Sequence, residues 1–258
     1  MMRRAFEEIP IPDRPSKPRQ AGLTMIADWG LGRSAQADIL DIGAGYMDLA
    51  KIAVGISRLL EDRLLREKIQ LYEQHEVTPF PGGQFLEYAA YHGHTRAYLS
   101  AARAAGYRWI EVSDNVIELT FQEKTALIRL AREEYGLEVL GEVGSKVQGT
   151  SAAQLISDIR GCLDAGAWKV FVEAAELFGD DLNEALIEEI TAAVPLEQLI
   201  FEVPGPWISG IRRCDQHATR AWLMKRFGPQ VNLANVPPED ILEVETMRRG
   251  IGVAALKW

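Results

Sequence analysis

Three carboxylates carry the strongest chemical signal in this chain. Glu142, Glu173 and Glu202 each close a short apolar run, LEVLGE, KVFVE and LIFE. If those runs are successive strands of one sheet, the three carboxylates meet on one rim. Unpaired carboxylates that close together raise one another's pKa, and a hard divalent cation with oxygen ligands relieves the repulsion. The predicted metal set is therefore Glu142, Glu173 and Glu202, with Mg²⁺ as the ion. The competing arrangement pairs one or more of them with Lys51 or Lys146, or turns it outward. Lys51, Lys146 and Glu111 are the predicted catalytic groups. A lysine at an acidic rim holds an anionic substrate or moves a proton, and a Schiff base is the other use of such a lysine. Asp28, Gly82, Gly83, Ser113, Asn232 and Asn235 stand at or after other run ends and are predicted to contact substrate. The glycines of Pro81-Gly82-Gly83 let backbone N–H groups approach an anion.

The elements that must position these groups alternate along the chain. Strands are predicted at residues 23–28, 47–52, 77–79, 108–112, 137–141, 169–172, 199–202 and 231–234. Helices are predicted near 33–43, 57–75, 84–105, 120–135, 151–165, 182–193, 215–227 and 238–249. Thr120 and Glu123 have the spacing of a capping box. Gly136, Gly166 and Gly228 each follow a helical period, where a left-handed C-terminal glycine belongs. Eight strand-helix units of about 30 residues predict an α/β fold, a single closed (β/α)₈ barrel with its chemistry at the C-terminal strand ends. Neither a Rossmann fingerprint nor a P-loop follows any strand. The domain reading is an extended, Pro-rich N-terminal arm over 1–20 and a barrel domain over 21–258.

Composition sets the outer limits. The chain has 258 residues, a formal charge of −9 and 47% hydrophobic residues. That is globular composition, and the acidic balance argues against nucleic acid as a partner. Two cysteines, Cys162 and Cys214, read as reduced thiols rather than a disulfide framework. With no apolar run near 18 residues and no apolar core segment at the N-terminus, the expected protein is cytoplasmic, without a membrane span or secretory signal. A small anionic carboxylic acid is the expected partner, and a symmetric homo-oligomer the expected assembly. Trp29 and Trp207 follow strand ends, where they would line a pocket. His75, His92, His94 and His217 read as structural or surface residues.

The runs FPGGQFLEYA (80–89), IEVSD (110–114), GEVGSK (141–146), DAGA (164–167), IFEVP (200–204), VNLANV (231–236) and ETMRRG (245–250) together resemble the phosphosulfolactate synthase family over nearly the whole chain. The resemblance implies a (β/α)₈ barrel that binds Mg²⁺ and adds sulfite to phosphoenolpyruvate, a first step towards coenzyme M. It implies a conjugate addition through a metal-stabilised enediolate, with protonation at C2. By position, Lys146 matches the family lysine after the fifth strand and is the implied general acid. Lys51 matches the lysine of the second-strand motif and would hold substrate oxygens.

Two segments depart from the family pattern. After the second strand a glycine- and tryptophan-containing run ending in Gly-Thr is replaced by Lys51-Ile52-Ala53-Val54-Gly55-Ile56. After the sixth strand, Glu-Gly-Arg-Glu-Ser-Gly is replaced by a run with Ala175 for the arginine and Leu177 for the serine. An arginine is the natural bidentate partner of a phosphate or sulfonate. Arg212 and Arg213, in the long 204–217 loop, would either replace it or form a solvated pair. Three functions follow: a phosphosulfolactate synthase-like lyase, a barrel lyase or isomerase acting on a less phosphorylated acid, and a non-catalytic stress- or interaction-related member of the family.

Overall fold

A computed structural model describes residues 5–117, 119–144, 149–177 and 182–253. Eight parallel strands alternate with helices. The strands are β1 (Thr24–Asp28), β2 (Leu49–Ile52), β3 (Thr78–Pro81), β4 (Trp109–Val112), β5 (Glu138–Val143), β6 (Lys169–Val172), β7 (Leu199–Glu202) and β8 (Leu233–Val236). Their order is β3-β2-β1-β8-β7-β6-β5-β4. The two ends of that sheet, β3 and β4, lie side by side, so the sheet rolls into a nearly closed (β/α)₈ barrel.

Among the described residues the helices are α1 (Arg33–Gly43), α2 (Ile56–Leu59), α3 (Asp62–Gln74), α4 (Gly83–Tyr91), α5 (Thr95–Ala105), α6 (Phe121–Glu133), α7 (Ala152–Asp164), α8 (Ala174–Leu177), α9 (Glu184–Ala193), α10 (Arg213–Phe227) and α11 (Ile241–Arg248). Two helices predicted as continuous are broken. The 57–75 period divides between α2 and α3, where Leu60 and Glu61 are extended. The 84–105 period divides at His92-Gly93-His94, where Gly93 takes the left-handed conformation (φ 72°). Thr120 and Glu123 form the full capping box on α6. No helix among the described residues is long and apolar enough to cross a membrane.

Side-chain alternation along each strand separates two cores. Met25, Leu49, Phe80, Leu140, Phe171 and Ile200 point into the barrel and fill it, with Trp109 and Trp168 packed against them. Their neighbours Val139, Val170, Val172 and Phe201 belong to the outer core, under the helices. Cys162 is buried in that outer core.

The N-terminal end of the barrel is closed by buried arginines. Arg248 is buried and donates to the carbonyls of Pro229 (2.5 Å), Val231 (2.8 Å) and Leu23 (3.0 Å), tying α11 to the β1–β8 seam. Burial lowers its pKa to about 9. The N-terminal segment runs over the same end. Arg14 pairs with Glu245, and Arg19 pairs with Asp48 at 2.9 Å. Truncating Arg248 removes the donor to the Pro229 and Val231 carbonyls and one of the two donors to the Leu23 carbonyl, which also accepts from Leu233 N–H at 2.9 Å. Arg248→Ala is expected to lower unfolding free energy by about 3 kcal/mol or more. Urea denaturation checks this, and a loss within ~0.5 kcal/mol refutes the clamp.

Candidate active site

The alternation that points Leu49, Trp109, Leu140 and Ile200 inward also points inward the residues two positions later: Lys51, Glu111, Glu142 and Glu202. These four form the polar layer above the apolar barrel core. All four are at least nine-tenths buried. Carboxylate oxygens of Glu111, Glu142 and Glu202 lie within 4.8 Å of one another. Lys51 Nζ sits 2.7 Å from Glu111 and 3.0 Å from Glu202, and 4.7 Å from the centre of the Phe171 ring beneath it.

Among the described residues of this layer, three carboxylates face one ammonium. Burial disfavours the Lys51 ammonium, but the neighbouring Glu111, Glu202 and Glu142 outweigh it and hold its pKa well above the ordinary lysine value. Burial, with Glu142 and Glu202 close by, pushes the Glu111 carboxyl up to about 8 despite Lys51. Such a cluster suits a hard divalent cation, because a +2 ion relieves the repulsion among the carboxylates and takes oxygen ligands.

Backbone and amide groups orient the cluster. Gly83 N–H, at the start of α4, donates to Glu111 Oε2 at 2.6 Å. Only glycine fits there, since a Cβ on Gly83 would stand 2.3 Å from Ser113 Oγ and 3.1 Å from Glu111 Cγ. The Asn115 side-chain amide donates to Glu142, and its Oδ1 is buried with no hydrogen-bond partner among the described residues. Beneath the following turn, Glu87 accepts from Ser113 and from the N–H groups of Asn115 (3.0 Å), Val116 (2.6 Å) and Ile117 (3.0 Å). Asn115 and Glu87 are the residues that sequence reading missed. Neither stands at a strand end, and no local motif marks them.

Above the cluster opens a cavity of about 270 Å³, lined also by Ala53, Val54, Gln84, Asn235, Trp29 and Trp207. The two tryptophans pack against each other with ring centres 5.4 Å apart. Among the described residues Lys51 is the only cation lining this cavity.

The sequence model of the (2R)-phospho-3-sulfolactate synthase (ComA) family matches residues 12–253. The chain belongs to the phosphosulfolactate synthase family. That family is one of enzymes. The chain is 32% identical over 252 residues to the phosphosulfolactate synthase of Methanothermobacter thermautotrophicus, covering 93% of each chain. It is 29% identical over 253 residues to that of Bacillus subtilis, covering 93% of this chain and 94% of the relative. It is also 22% identical over 275 residues to the Arabidopsis thaliana protein HEAT-STRESS-ASSOCIATED 32, covering 95% and 91%. Two solved structures share the fold. They are 3-hexulose-6-phosphate synthase from Salmonella typhimurium (TM-score 0.55, 12% identity, 88% of this chain and 99% of that one) and phosphoenolpyruvate phosphomutase from Streptomyces platensis subsp. rosaceus (TM-score 0.53, 11% identity, 87% and 82%).

The remaining sequence-predicted residues fall in different places. Gly82, Gly83 and Asn235 line the cavity beside Lys51, Glu111, Glu142 and Glu202. Glu173 stands outside the carboxylate cluster. The chain leaves β6 at Val172, so Glu173 sits at the entry to α8, its Oε1 accepting from Ala175 N–H at 3.2 Å. Glu111 takes the third place in the cluster. Asp28 is consumed by structure, accepting from Lys68, Tyr72 Oη (2.8 Å) and the N–H groups of Gly30 and Leu31 (both 2.8 Å). Ser113 serves Glu87. Asn232 binds Leu23 N–H and the Leu199 carbonyl at the opposite end of the barrel, because it precedes β8. Arg212 pairs with Asp215 and Arg213 with Asp240, and neither lines the cavity. Lys146 lies outside the described residues.

The raised Glu111 pKa has a consequence for metal-free protein. The unfolded chain loses this proton near the ordinary glutamate value of 4.5, the folded chain only near 8. Folding therefore takes up a proton between those values, and the stability that Glu111 contributes at low pH is lost as pH rises through that window. In chelator, Tm is expected to fall from pH 5 to 8, and Glu111→Gln is expected to flatten that fall. Equal slopes in both proteins would refute the assignment.

Proposed function

We propose that this chain is a phosphosulfolactate synthase-like lyase: it adds a nucleophile across the carbon–carbon double bond of a small enol or unsaturated carboxylic acid, with Mg²⁺ held by Glu111, Glu142 and Glu202. The observation that carries this reading is the buried set of three carboxylates and one ammonium on the C-terminal rim of the barrel. Sulfite and phosphoenolpyruvate are the reactants that the family resemblance supplies.

When bound, Mg²⁺ would supply positive charge to oppose the negative charge that develops on the acid's carboxylate as the nucleophile attacks. Lys51 is kept protonated and is pinned between Glu111 and Glu202, so it holds a substrate oxygen rather than accepting a proton. The new bond forms at C3, the π electrons move towards C2 and the carboxylate, and a proton is delivered to C2. Lys146 is the proposed donor. Asn115, through its buried Oδ1, and Gln84 complete the polar wall. Trp29 and Trp207 give the cavity an aromatic wall.

A second reading, a lyase acting on a less phosphorylated acid, is favoured by the cavity lining. No arginine lines the cavity among the described residues, and both loop arginines are already paired. Ala175 and Leu177 remove the arginine and serine of the family pattern.

Two measurements test the proposal. Titration of chelator-treated protein with Mg²⁺ is expected to show one saturable site that Glu142→Gln weakens at least tenfold. Turnover of phosphoenolpyruvate with sulfite, compared with unphosphorylated enol and unsaturated acids, then chooses the substrate. Lys51→Met is expected to lower kcat by about 10²-fold or more while Mg²⁺ still binds. No Mg²⁺ site, or full activity in Lys51→Met, would overturn the mechanism.

A further inference from the structure

Strand β8 is irregular where it meets the catalytic cavity. Along the β1–β8 pairing, β1 advances two residues, from Thr24 to Ile26, while β8 advances three, from Leu233 to Val236. That is a β-bulge, with one extra residue on β8. In a regular strand, residues three apart face opposite sides. Here Leu233 and Val236 both belong to the outer core, while Ala234 packs inside the barrel. The alternation is reset at Asn235, which is held at φ 59°.

Bulges of this kind re-aim a side chain. Asn235 lines the catalytic cavity and is 7% exposed. It follows Ala234, the register partner of Glu202 on β7, and so stands beside one of the three clustered carboxylates. A left-handed asparagine commonly bonds nearby backbone through its side chain. The Asn235 side chain makes no hydrogen bond among the described residues. Glycine would take this conformation without strain, so asparagine keeps a carboxamide at the cavity wall at some conformational cost. Val54, at φ 44°, is another non-glycine residue in the left-handed region that lines the same cavity. Strain of this sort collects at functional sites. Neighbouring donors are already engaged, Lys51 by Glu111 and Glu202, and the Asn115 amide by Glu142.

We propose that Asn235 is a substrate-binding residue whose Nδ2 donates a hydrogen bond to a carboxylate oxygen of the acid in the catalytic cavity. The inference rests on the lyase reading above and deepens it, since it names the group that orients the acid. A neutral donor adds no positive charge to compete with Mg²⁺ for Glu202. As the nucleophile attacks, negative charge builds on the acid's carboxylate, and a hydrogen bond to that oxygen strengthens.

The test titrates the full chain, loaded with Mg²⁺, with phosphoenolpyruvate, pyruvate and acrylate, which share a carboxylate. Asn235→Gly removes the amide and relaxes the left-handed backbone. It is expected to keep Tm within about 3 °C of the parent and to leave Mg²⁺ affinity unchanged. Every acid that the parent binds is expected to bind it about tenfold or more weakly. Asn235→Asp keeps the size of the side chain but replaces the donor with a carboxylate. It is expected to weaken the acids at least as much, and it decides the matter if the glycine variant is unstable. Unchanged acid affinity in a folded variant assigns Asn235 to the bulge alone and overturns the inference, leaving the lyase reading standing. A loss for phosphoenolpyruvate alone, with pyruvate or acrylate bound as before, moves the contact to the phosphate and overturns it. Weakened Mg²⁺ binding in Asn235→Gly makes the residue a metal ligand and overturns it too. Parent protein that binds none of the three acids overturns the lyase reading together with this inference.

Discussion

Burying three carboxylates beside Lys51 in one layer of a barrel is the constraint around which this molecule is arranged. Glu111, Glu142 and Glu202 repel one another in a buried layer, and burial with that repulsion raises the Glu111 pKa despite Lys51. The fold tolerates the arrangement because each group is held from outside the layer. Gly83 N–H and the Asn115 amide bind two of the carboxylates, and Lys51 rests on the face of Phe171. The apolar core below, from Phe80 to Ile200, keeps the lower barrel free of competing charge. The convergence of three carboxylate oxygens is what suits the layer to a cation.

The two ends of the barrel divide stability from chemistry. At the N-terminal end, charged groups are matched or bonded to carbonyls: Arg248 to three carbonyls, Arg19 to Asp48, Asn232 to Leu23 and Leu199. At the C-terminal end, charged side chains line open space. That is the usual polarity of this architecture, with the chemistry on the loops that follow the strands. Glu87 and Asp28 belong to the active end yet act structurally. Each carboxylate gathers backbone N–H groups of the adjoining loop and so fixes the turn from which cavity residues project.

Family membership and fold likeness carry different weight. Matching over residues 12–253 and 32% identity along 93% of the chain place it in the phosphosulfolactate synthase family. The solved barrels at 11–12% identity speak to architecture alone. Around the charged layer, apolar and aromatic side chains stand beside Gln84, Asn115 and Asn235. Val54, Trp29 and Trp207 flank the cavity, and Arg212 and Arg213 are engaged elsewhere.

The alternation of apolar runs and helical periods was enough to specify eight strand-helix units, since parallel strands need crossovers and eight such units close. The motif runs were enough to name the family. Of the charged layer, Glu142 and Glu202 were legible as strand-end carboxylates in a metal set that also held Glu173, and Lys51 and Glu111 as catalytic candidates. Which carboxylates meet was decided by tertiary structure. Glu173 has the inward parity of Glu142 and Glu202, but the chain turns into α8 one residue too early, while Glu111 lies inside β4 and is carried inward. Asp28 and Asn232 carry the right chemistry, but contacts with residues 40 and more positions away absorb them. Asn115 and Glu87 had no sequence signal because their roles exist only once α4 packs beside the turn after β4. A strand's parity is local and readable in one dimension. Where a strand stops, and which distant donors reach its side chains, are set by packing.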